Sequence, residues 1–229
     1  FYLSKLVMSF QKKDFVEIEF TGKVKDTGMV FDSNVAEELK KFNPEAKAKP
    51  IIICLGENMF LKGVEDFLSK NSEFNKNYEI ELTPENAFGN RDSKLVQVVP
   101  INVFYSQKIN PTPGSVFNFD GRLGKILSVS GGRVITDFNN PLAGKTVLYS
   151  LKVLRKIEDI KEKADSIIEF FARKNLPFEI KENRLIVEGE KDLSEFLMLF
   201  KDKFKEILNL DLELKQTNTS ELTEPIKSN

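Results

Sequence analysis

The segment from Phe15 to Ser33 carries the pattern that most restricts how this chain can fold. Residues Phe15-Val-Glu-Ile-Glu-Phe20 alternate between apolar and charged side chains, which is the period of a strand with one buried face. Asp26-Thr-Gly28 supplies residues that tight turns prefer, and Val30-Phe31 follows. The segment therefore predicts a β-hairpin that enters its second strand at Val30.

Further short elements follow this hairpin. The apolar run from Pro50 to Leu55 predicts a covered strand, which Gly56 ends. Val64, Phe67 and Leu68 have the spacing of an apolar stripe on a short helix. Two more strands are predicted, at Asn77–Leu82, where Thr83-Pro84 closes the strand, and at Thr146–Leu154.

Several of these motifs resemble, in order, the signature of the FKBP-type peptidyl-prolyl isomerases. They are Phe20-Thr-Gly22, Val30-Phe-Asp-Ser33, Leu55-Gly56 with a short helix behind it, and Pro84-Glu-Asn-Ala-Phe-Gly89. The segment Asp137–Lys145, Asp-Phe-Asn-Asn-Pro-Leu-Ala-Gly-Lys, is similar to the SlyD-like and archaeal long-type members, which carry an extra domain in the flap. The resemblance covers residues 10–157 and is weak beyond them.

The resemblance implies the residues of a pocket for a proline ring. The catalytic group would be Asp32, Phe31, Phe20, Phe88 and Tyr149, and the substrate-binding group would be Ile51, Phe60, Leu61, Val64 and Leu142. Asp32 would act electrostatically on the substrate, without transferring a proton. No metal or other cofactor is expected.

Three positions depart from the family pattern. Phe20 and Phe88 stand where well-studied members have tyrosine, so two hydroxyl groups are missing. Val64 replaces a tryptophan that forms the pocket floor in many relatives. These departures affect the expected rate, the preference for the residue before proline, and macrolide affinity, but not the expected fold.

The pattern changes between Asn90 and Phe138. Ser115–Phe119, Lys125–Val129 and Arg133–Asp137 are strand candidates, joined by Asp120-Gly121 and Gly131-Gly132. We interpret this stretch as a small β-rich domain inserted into the isomerase domain. Its expected core contains Val103, Phe104, Tyr105, Phe117 and Phe119, some of which are exposed if the insertion binds unfolded chains as it does in relatives.

The chain after Ile157 has the pattern helix, two strands, helix, strand. Ile160, Ala164, Ile167, Ile168 and Phe171 have helical spacing. A second helix is predicted through Leu193–Leu208, with Asp192 as its N-cap and Glu195 completing a capping box. Strands are expected at Phe178–Ile180, Leu185–Val187 and Leu210–Leu214.

The predicted fold class is α+β. An FKBP-like antiparallel sheet wraps on a short helix, with the β-rich flap insertion and a C-terminal α-β-β-α-β domain. The predicted boundaries are 10–89 plus 139–157 for the isomerase domain, 90–138 for the insertion, 158–216 for the C-terminal domain and 217–229 for a flexible tail. Met8 is expected to be the natural start of the chain.

Composition excludes several classes of function. The 229 residues contain no histidine, which excludes Ser-His and Cys-His catalysis and removes the commonest transition-metal ligand. A net charge of −1 argues against general nucleic-acid binding. The one cysteine, Cys54, lies in an apolar run and is expected in the core. With no long apolar segment, we expect a cytoplasmic globular protein without a membrane partner.

These features favour a peptidyl-prolyl cis-trans isomerase that assists folding, with chaperone activity from the inserted domain. Its partners would be proline-containing peptides and unfolded chains. One alternative is a holdase chaperone or scaffold whose isomerase pocket is vestigial. Another is an interaction module built on the terminal domain. Twelve basic and seventeen acidic residues from Ile157 onward give −5, opposite in sign to the +3 of the insertion, where six basic face three acidic residues. These opposite charges suit intramolecular docking or dimerisation through this domain.

Overall fold

The computed structural model describes residues 10–42, 44, 45, 47–71 and 73–216. The predicted start at Met8 and the predicted tail at 217–229 lie outside these residues. The described chain is α+β, as expected, with three β-sheets and six α-helices. None of these helices combines the length and apolarity that a bilayer crossing requires.

The first sheet carries five of the ten predicted site residues. Its strands are β1 (Phe15–Val24), β2 (Val30–Ser33), β3 (Ile51–Cys54), β4 (Asn77–Leu82) and β9 (Val147–Ile157), in the order β2-β1-β9-β4, with β3 also paired to β1. The β1–β3 pair is antiparallel and places Phe15 opposite Cys54. These strands confirm the prediction. They form because their alternating apolar residues can cover a core on one face of the sheet.

Two short helices flank these strands. Helix α2 (Lys62–Leu68) confirms the predicted short helix and buries Val64 and Leu68. Helix α1 (Ala36–Phe42) was not predicted, because its sequence is mostly charged and offers no apolar stripe. Its acidic residues lie in the first turn and its lysines in the last, and both interact favourably with the helix dipole and stabilise the helix.

The chain divides into two compact units. Among the described residues, the first contains 10–21, 32–79 and 150–216, and the second contains Gly22–Phe31 and Ile80–Tyr149. The predicted domain boundaries remain predictions.

The second unit contains a four-stranded antiparallel sheet. Its strands are β5 (Val96–Pro100), β6 (Val116–Phe119), β7 (Arg122–Ser130) and β8 (Arg133–Asp137), in the order β5-β8-β7-β6, and helix α3 (Ile101–Ser106) follows β5. Strands β6 to β8 confirm the predicted insertion strands. Strand β5 and helix α3 were missed, since Pro100 stands inside a short, mostly apolar segment where periodicity does not separate strand from helix.

The core of this sheet is built around Phe104. Its side chain is buried with Ile126 and Val134, and its ring centroid lies 5.7 Å from that of Phe117 and 5.6 Å from that of Phe119. The prediction that Val103 and Tyr105 belong to the core was wrong, since they are 41% and 54% exposed. A six-residue helix turns only one face inward, so the neighbours of Phe104 point outward.

The last part of the first unit contains three helices and a three-stranded sheet. They are α4 (Ile160–Ala172), α5 (Lys191–Met198), α6 (Lys201–Leu208), β10 (Phe178–Lys181), β11 (Arg184–Gly189) and β12 (Asp211–Gln216). Strand β11 pairs antiparallel with β10 and parallel with β12. Asp159 caps α4 by accepting hydrogen bonds from the backbone N–H groups of Lys161 and Glu162.

Two predictions for the last helices were wrong. The single helix predicted through Leu208 is broken after Met198, where the Leu199 N–H donates to the Phe196 carbonyl and the Phe200 N–H to the Leu197 carbonyl. These hydrogen bonds span three residues, as in a 3-10 turn, and they end α5 before α6 begins. The N-cap position is Glu190, so Asp192 lies inside the first turn.

Cys54 is confirmed as a core residue with no exposed surface. Burial, together with the charges of Glu57 and Glu65, raises the pKa of its thiol to about 12. A thiol that stays protonated at neutral pH is a poor nucleophile, so Cys54 contributes packing and not chemistry.

Candidate active site

Backbone and side-chain hydrogen bonds fix the segment that follows Asp32 against β1. The Asn34 side chain accepts from the Phe20 N–H at 2.7 Å and donates to the Ile18 carbonyl at 2.9 Å. The Ser33 hydroxyl donates to the Phe20 carbonyl at 3.1 Å and lies 2.9 Å from the hydroxyl of Thr21. Because these groups are buried and paired, the backbone at Asp32 is held in a defined position next to β1.

The carboxyl group of Asp32 is electrostatically perturbed. Partial burial raises its pKa from the ordinary value of 3.8, and a hydrogen bond from the Ser33 backbone N–H opposes the rise. A raised pKa means that the ionised form is poorly solvated by its surroundings. In its ionised form the group can act on a nearby dipole.

Phe60 contacts Phe20 and is held by a buried carboxylate. The two ring centroids are 4.8 Å apart in an edge-to-face arrangement. Glu65, on α2 and only 4% exposed, accepts from the Phe60 N–H at 2.9 Å with one oxygen, and from the Gly56 and Asn58 N–H groups at 2.8 and 3.3 Å with the other. The loop from Gly56 to Phe60 is therefore tied at three points to the helix behind it.

The position of helix α2 determines where Leu61 and Val64 lie. Leu61 is the N-cap residue of α2, in an extended conformation, and the side chain of Val64 is fully buried one turn later. Ile51 lies on β3 opposite Ile18 and is partly buried. It also lines a cavity of about 500 Å³ beside α4, together with Ile53 and Phe170.

A second aromatic group forms around Phe31. Its ring centroid lies 5.5 Å from that of Phe88 and 5.8 Å from that of Tyr149, with both neighbours edge to face. Gly22 leaves the space for this group, because a Cβ there would lie 2.6 Å from Phe31 Cζ and 3.1 Å from Tyr149 Cε1. The glycine is thus required by the approach of the rings and not by its own backbone angles.

Phe88 and Leu142 lie in two turns that are joined by a backbone hydrogen bond. A 3-10 turn at Pro84–Asn86 leads into Gly89, whose φ of +77° suits glycine and whose N–H donates to the Pro84 carbonyl at 2.7 Å. The Gly144 N–H donates to the Gly89 carbonyl at 2.8 Å. The half-buried Leu142 donates its N–H to the Asn140 side chain in the turn that ends at Gly144.

The structure therefore brings together Phe20 with Phe60 in the first unit, and Phe31 with Phe88 and Tyr149 in the second. Sequence reasoning missed the residues that support them, Glu65, Gly22 and Asn34. The Thr-Gly pair was visible as a motif, but the reason for its glycine was not. Glu65 carried a weak signal, since an acidic residue within the apolar stripe of a short helix is unusual.

Comparison with known proteins identifies the family. A model described as FKBP-type peptidyl-prolyl cis-trans isomerase matches residues 8–111, and one described as FKBP26, IF domain matches residues 97–142. A short-type peptidyl-prolyl cis-trans isomerase of Methanocaldococcus jannaschii is 30% identical over 152 residues, which cover 65% of this chain and 94% of the relative.

Two bacterial relatives agree with this match. An FKBP-type 16 kDa peptidyl-prolyl cis-trans isomerase of Escherichia coli is 29% identical over 151 residues, covering 64% of this chain and 93% of the relative. The FKBP-type isomerase SlyD of Helicobacter pylori is 29% identical over 140 residues, covering 60% and 69%.

The family model and the relatives thus define an enzyme that rotates prolyl peptide bonds. This chain belongs to the FKBP-type peptidyl-prolyl cis-trans isomerase family, and its substrates are proline-containing polypeptides. The resemblance seen in the motifs is confirmed.

Proposed function

We propose that the prolyl bond rotates against the aromatic residues Phe20, Phe31, Phe60, Phe88 and Tyr149, with Asp32 as the charged group of the site. The observation that supports this proposal is the edge-to-face packing within each of the two aromatic groups. Such rings offer apolar walls and exclude water from a bound proline. Ile51, Leu61, Val64 and Leu142 are proposed to complete the binding surface.

Rotation requires selective stabilisation of the twisted amide. Amide resonance gives a barrier of about 18–20 kcal/mol. Uncatalysed exchange takes about 10–100 s, so reaching milliseconds requires roughly 6–7 kcal/mol. The twisted amide is less charge-separated than the planar one and loses less on leaving water, so an apolar site favours it. Asp32 would add an electrostatic contribution without moving a proton.

A protease-coupled assay with a short prolyl peptide tests this assignment. Asp32→Ala and Phe31→Ala should each lower kcat/KM strongly, while Asp26→Ala, in the exposed turn before β2, should not. Parent activity in both site variants would contradict the proposed residues. Family membership favours turnover over the alternative of a holdase with a vestigial pocket, which predicts no activity above background in the parent protein.

The inserted sheet supports a proposed chaperone activity. Its outer face exposes Val98 (59%), Val116 (55%), Leu123 (60%), Leu127 (41%) and Ile135 (38%). Val98 pairs with Ile135 across β5 and β8, while their chain neighbours Val99 and Val134 point into the core. Both faces of this sheet are therefore apolar, which is unusual unless the outer face binds something.

We propose that this outer face holds apolar segments of unfolded polypeptides near the isomerase. Tethering raises the local concentration of the prolyl bonds, so the gain should appear with unfolded proteins and not with short peptides. The variant Val98→Ser/Leu123→Ser should lower catalysis of a proline-limited refolding reaction several-fold. It should leave turnover of a tetrapeptide within about twofold, since surface substitutions rarely disturb the fold.

Lys125→Ser, on the exposed surface of β7, is the matched control. It removes a long side chain but no apolar surface, so both activities should stay at the parent level. Equal losses on the two substrates in the double variant would contradict the role of the outer face.

Dimerisation through the C-terminal domain is a further proposal. Phe196, Met198 and Leu199 expose 44%, 40% and 78% of their surface around the end of α5. Leu199→Asp should shift the elution volume in gel filtration toward a smaller species, at both low and high salt.

A cytoplasmic location is proposed from the single buried thiol, which suits a reducing compartment, and cell fractionation would test it.

A further inference from the structure

A second cavity borders the loop that precedes Phe60 and Leu61. Its volume is about 360 Å³, and it is formed by the loop Gly56–Met59 and by side chains of α4 and α6. This volume is in the range of sites that hold small ligands or single side chains of a partner. The wall includes none of the residues assigned to prolyl binding.

One carboxylate oxygen at this cavity has no hydrogen-bond partner within the described part of the chain. The side chain of Glu57 is 5% exposed, and its Oε2 accepts from Lys203 Nζ at 2.9 Å. Its Oε1 accepts no hydrogen bond from any described residue. A buried carboxylate oxygen without a donor is costly, so Glu57 Oε1 marks a place where a ligand N–H fits.

Lys12 supplies an adjacent positive charge. Its Nζ is 4.0 Å from Glu57 Oε1, beyond hydrogen-bond distance, and its side chain is 66% exposed. The methylene groups of Lys12 run close to Gly56, where a Cβ would lie 2.7 Å from Lys12 Cγ. The glycine therefore lets Lys12 lie along the loop with its ammonium group available to an anion.

The remaining wall is apolar and aromatic. Phe171 and Phe200 stack with their centroids 4.4 Å apart, and Met59 and Ile207 line the same cavity. A stacked aromatic pair beside a thioether accepts an aromatic or aliphatic side chain readily.

We propose that this cavity binds the carboxyl-terminal apolar residue of a polypeptide. The N–H of that residue donates to Glu57 Oε1, its carboxylate pairs with Lys12, and its side chain packs on Phe171, Phe200 and Met59. One terminal residue carries all three of these groups. A free amine fits less well, since Lys12 and Lys203 already place two cations beside Glu57.

Isothermal titration with a synthetic hexapeptide tests the proposal. The probe is acetyl-Gly-Ser-Gly-Ser-Gly-Phe with a free carboxylate, which contains no proline and so does not engage the isomerase site. We expect saturable binding. Replacing the last N–H by an ester oxygen should weaken binding about tenfold, because a hydrogen bond to a charged group is lost. The C-terminal amide should bind about tenfold more weakly as well.

Variants identify the groups involved. Glu57→Gln should weaken binding of the free acid about tenfold, since the amide keeps its oxygen toward Lys203 and turns a donor toward the ligand N–H. Lys12→Ala should abolish the preference for the free acid over the amide. Lys201→Ala removes an exposed lysine from the same helix as Lys203 and should change nothing. If Glu57→Gln fails to fold, the exposed Lys12 and the ester peptide still decide the question.

Several results would overturn the proposal. They are no saturable binding of the free-acid peptide, an affinity for the ester or for the amide that equals the affinity for the free acid, or an unchanged preference in Lys12→Ala. Binding of N-acetyl-phenylalanine without binding of the hexapeptide would assign the cavity to a small acid and refute a polypeptide partner.

Discussion

Gly22→Ala should damage catalysis through the packing of one aromatic ring. The new Cβ would lie 2.6 Å from Phe31 Cζ and 2.9 Å from Phe31 Cε2, where an ordinary contact begins at 3.4 Å. The Phe31 ring must therefore move by about 0.8 Å, and Tyr149 at 3.1 Å limits the directions that are open. Displacements of about 1 Å at a reacting site can cost up to about 100-fold, so we expect kcat/KM to fall by about 10- to 100-fold.

The same substitution has a smaller effect on stability. Overpacking costs about 1–3 kcal/mol, and the lower chain entropy of alanine in the unfolded state returns about 0.4–1 kcal/mol. A net loss of roughly 1–2 kcal/mol lowers Tm by about 2–8 °C for a chain of this size. The protein therefore stays folded at the assay temperature, and the loss of activity can be separated from unfolding.

The assay is protease-coupled turnover of a prolyl tetrapeptide, with Tm measured on the same samples. Gly189→Ala is the matched control, because its Cβ would lie 3.5 Å from Ser194 Oγ and 4.0 Å from Leu176 Cδ1, both ordinary contacts. It should retain parent activity. Parent-level kcat/KM in folded Gly22→Ala would refute the argument that the position of Phe31 controls the reaction.

Three further predictions concern carboxylates. Asp32→Asn should lower kcat/KM and slightly raise stability at neutral pH. The folded pKa of Asp32 is raised, so the parent loses stability as pH rises from 3.8 through that pKa, and thermal melts of the variant should lack this loss. Glu65→Gln should leave one loop N–H without an acceptor, which lowers the free energy of unfolding in urea by about 1–3 kcal/mol and raises KM. Asp66→Asn, at an exposed position of the same helix, should change neither the free energy of unfolding nor KM. Burial alone would raise the pKa of Asp137, but hydrogen bonds from Asn139 and the charge of Arg91 lower it overall, so Asp137→Asn should destabilise more at pH 7 than at pH 3.

The sequence was sufficient to predict the strands of the first sheet and the aromatic group around Phe31. Alternation over Phe15–Phe20 reports burial directly, since one face of that strand must cover a core. The family motifs placed Phe31, Phe88 and Tyr149 in one site, and their rings do contact one another. Patterns that report a local requirement were therefore reliable.

Features that depend on contacts from elsewhere in the chain were not predictable. The break between α5 and α6 interrupts a continuous helical spacing of apolar residues, because Phe200 packs on Phe171 while Leu199 is left exposed. The three backbone N–H groups bound by Glu65 come from a loop whose conformation the sequence does not specify. Gly22 is needed because of rings on other strands, which a Thr-Gly pair by itself does not reveal.

The absence of two tyrosine hydroxyls and the raised pKa of Asp32 both concern how the proposed site would solvate a charge next to the bound amide. Hydrogen bonds to a carboxylate lower its pKa, and at Asp32 the effect of burial exceeds that of the Ser33 N–H. In the proposed site Phe20 and Phe88 would bring ring surface but no donor, so a carboxylate at Asp32 would act more strongly on the dipole of a bound amide. A chain without histidine lacks the one side chain whose unperturbed pKa lies near neutrality, and rotation of a prolyl bond requires no proton transfer. The proposed mechanism therefore requires only the aromatic residues and one charge, because both would act on how the amide is solvated.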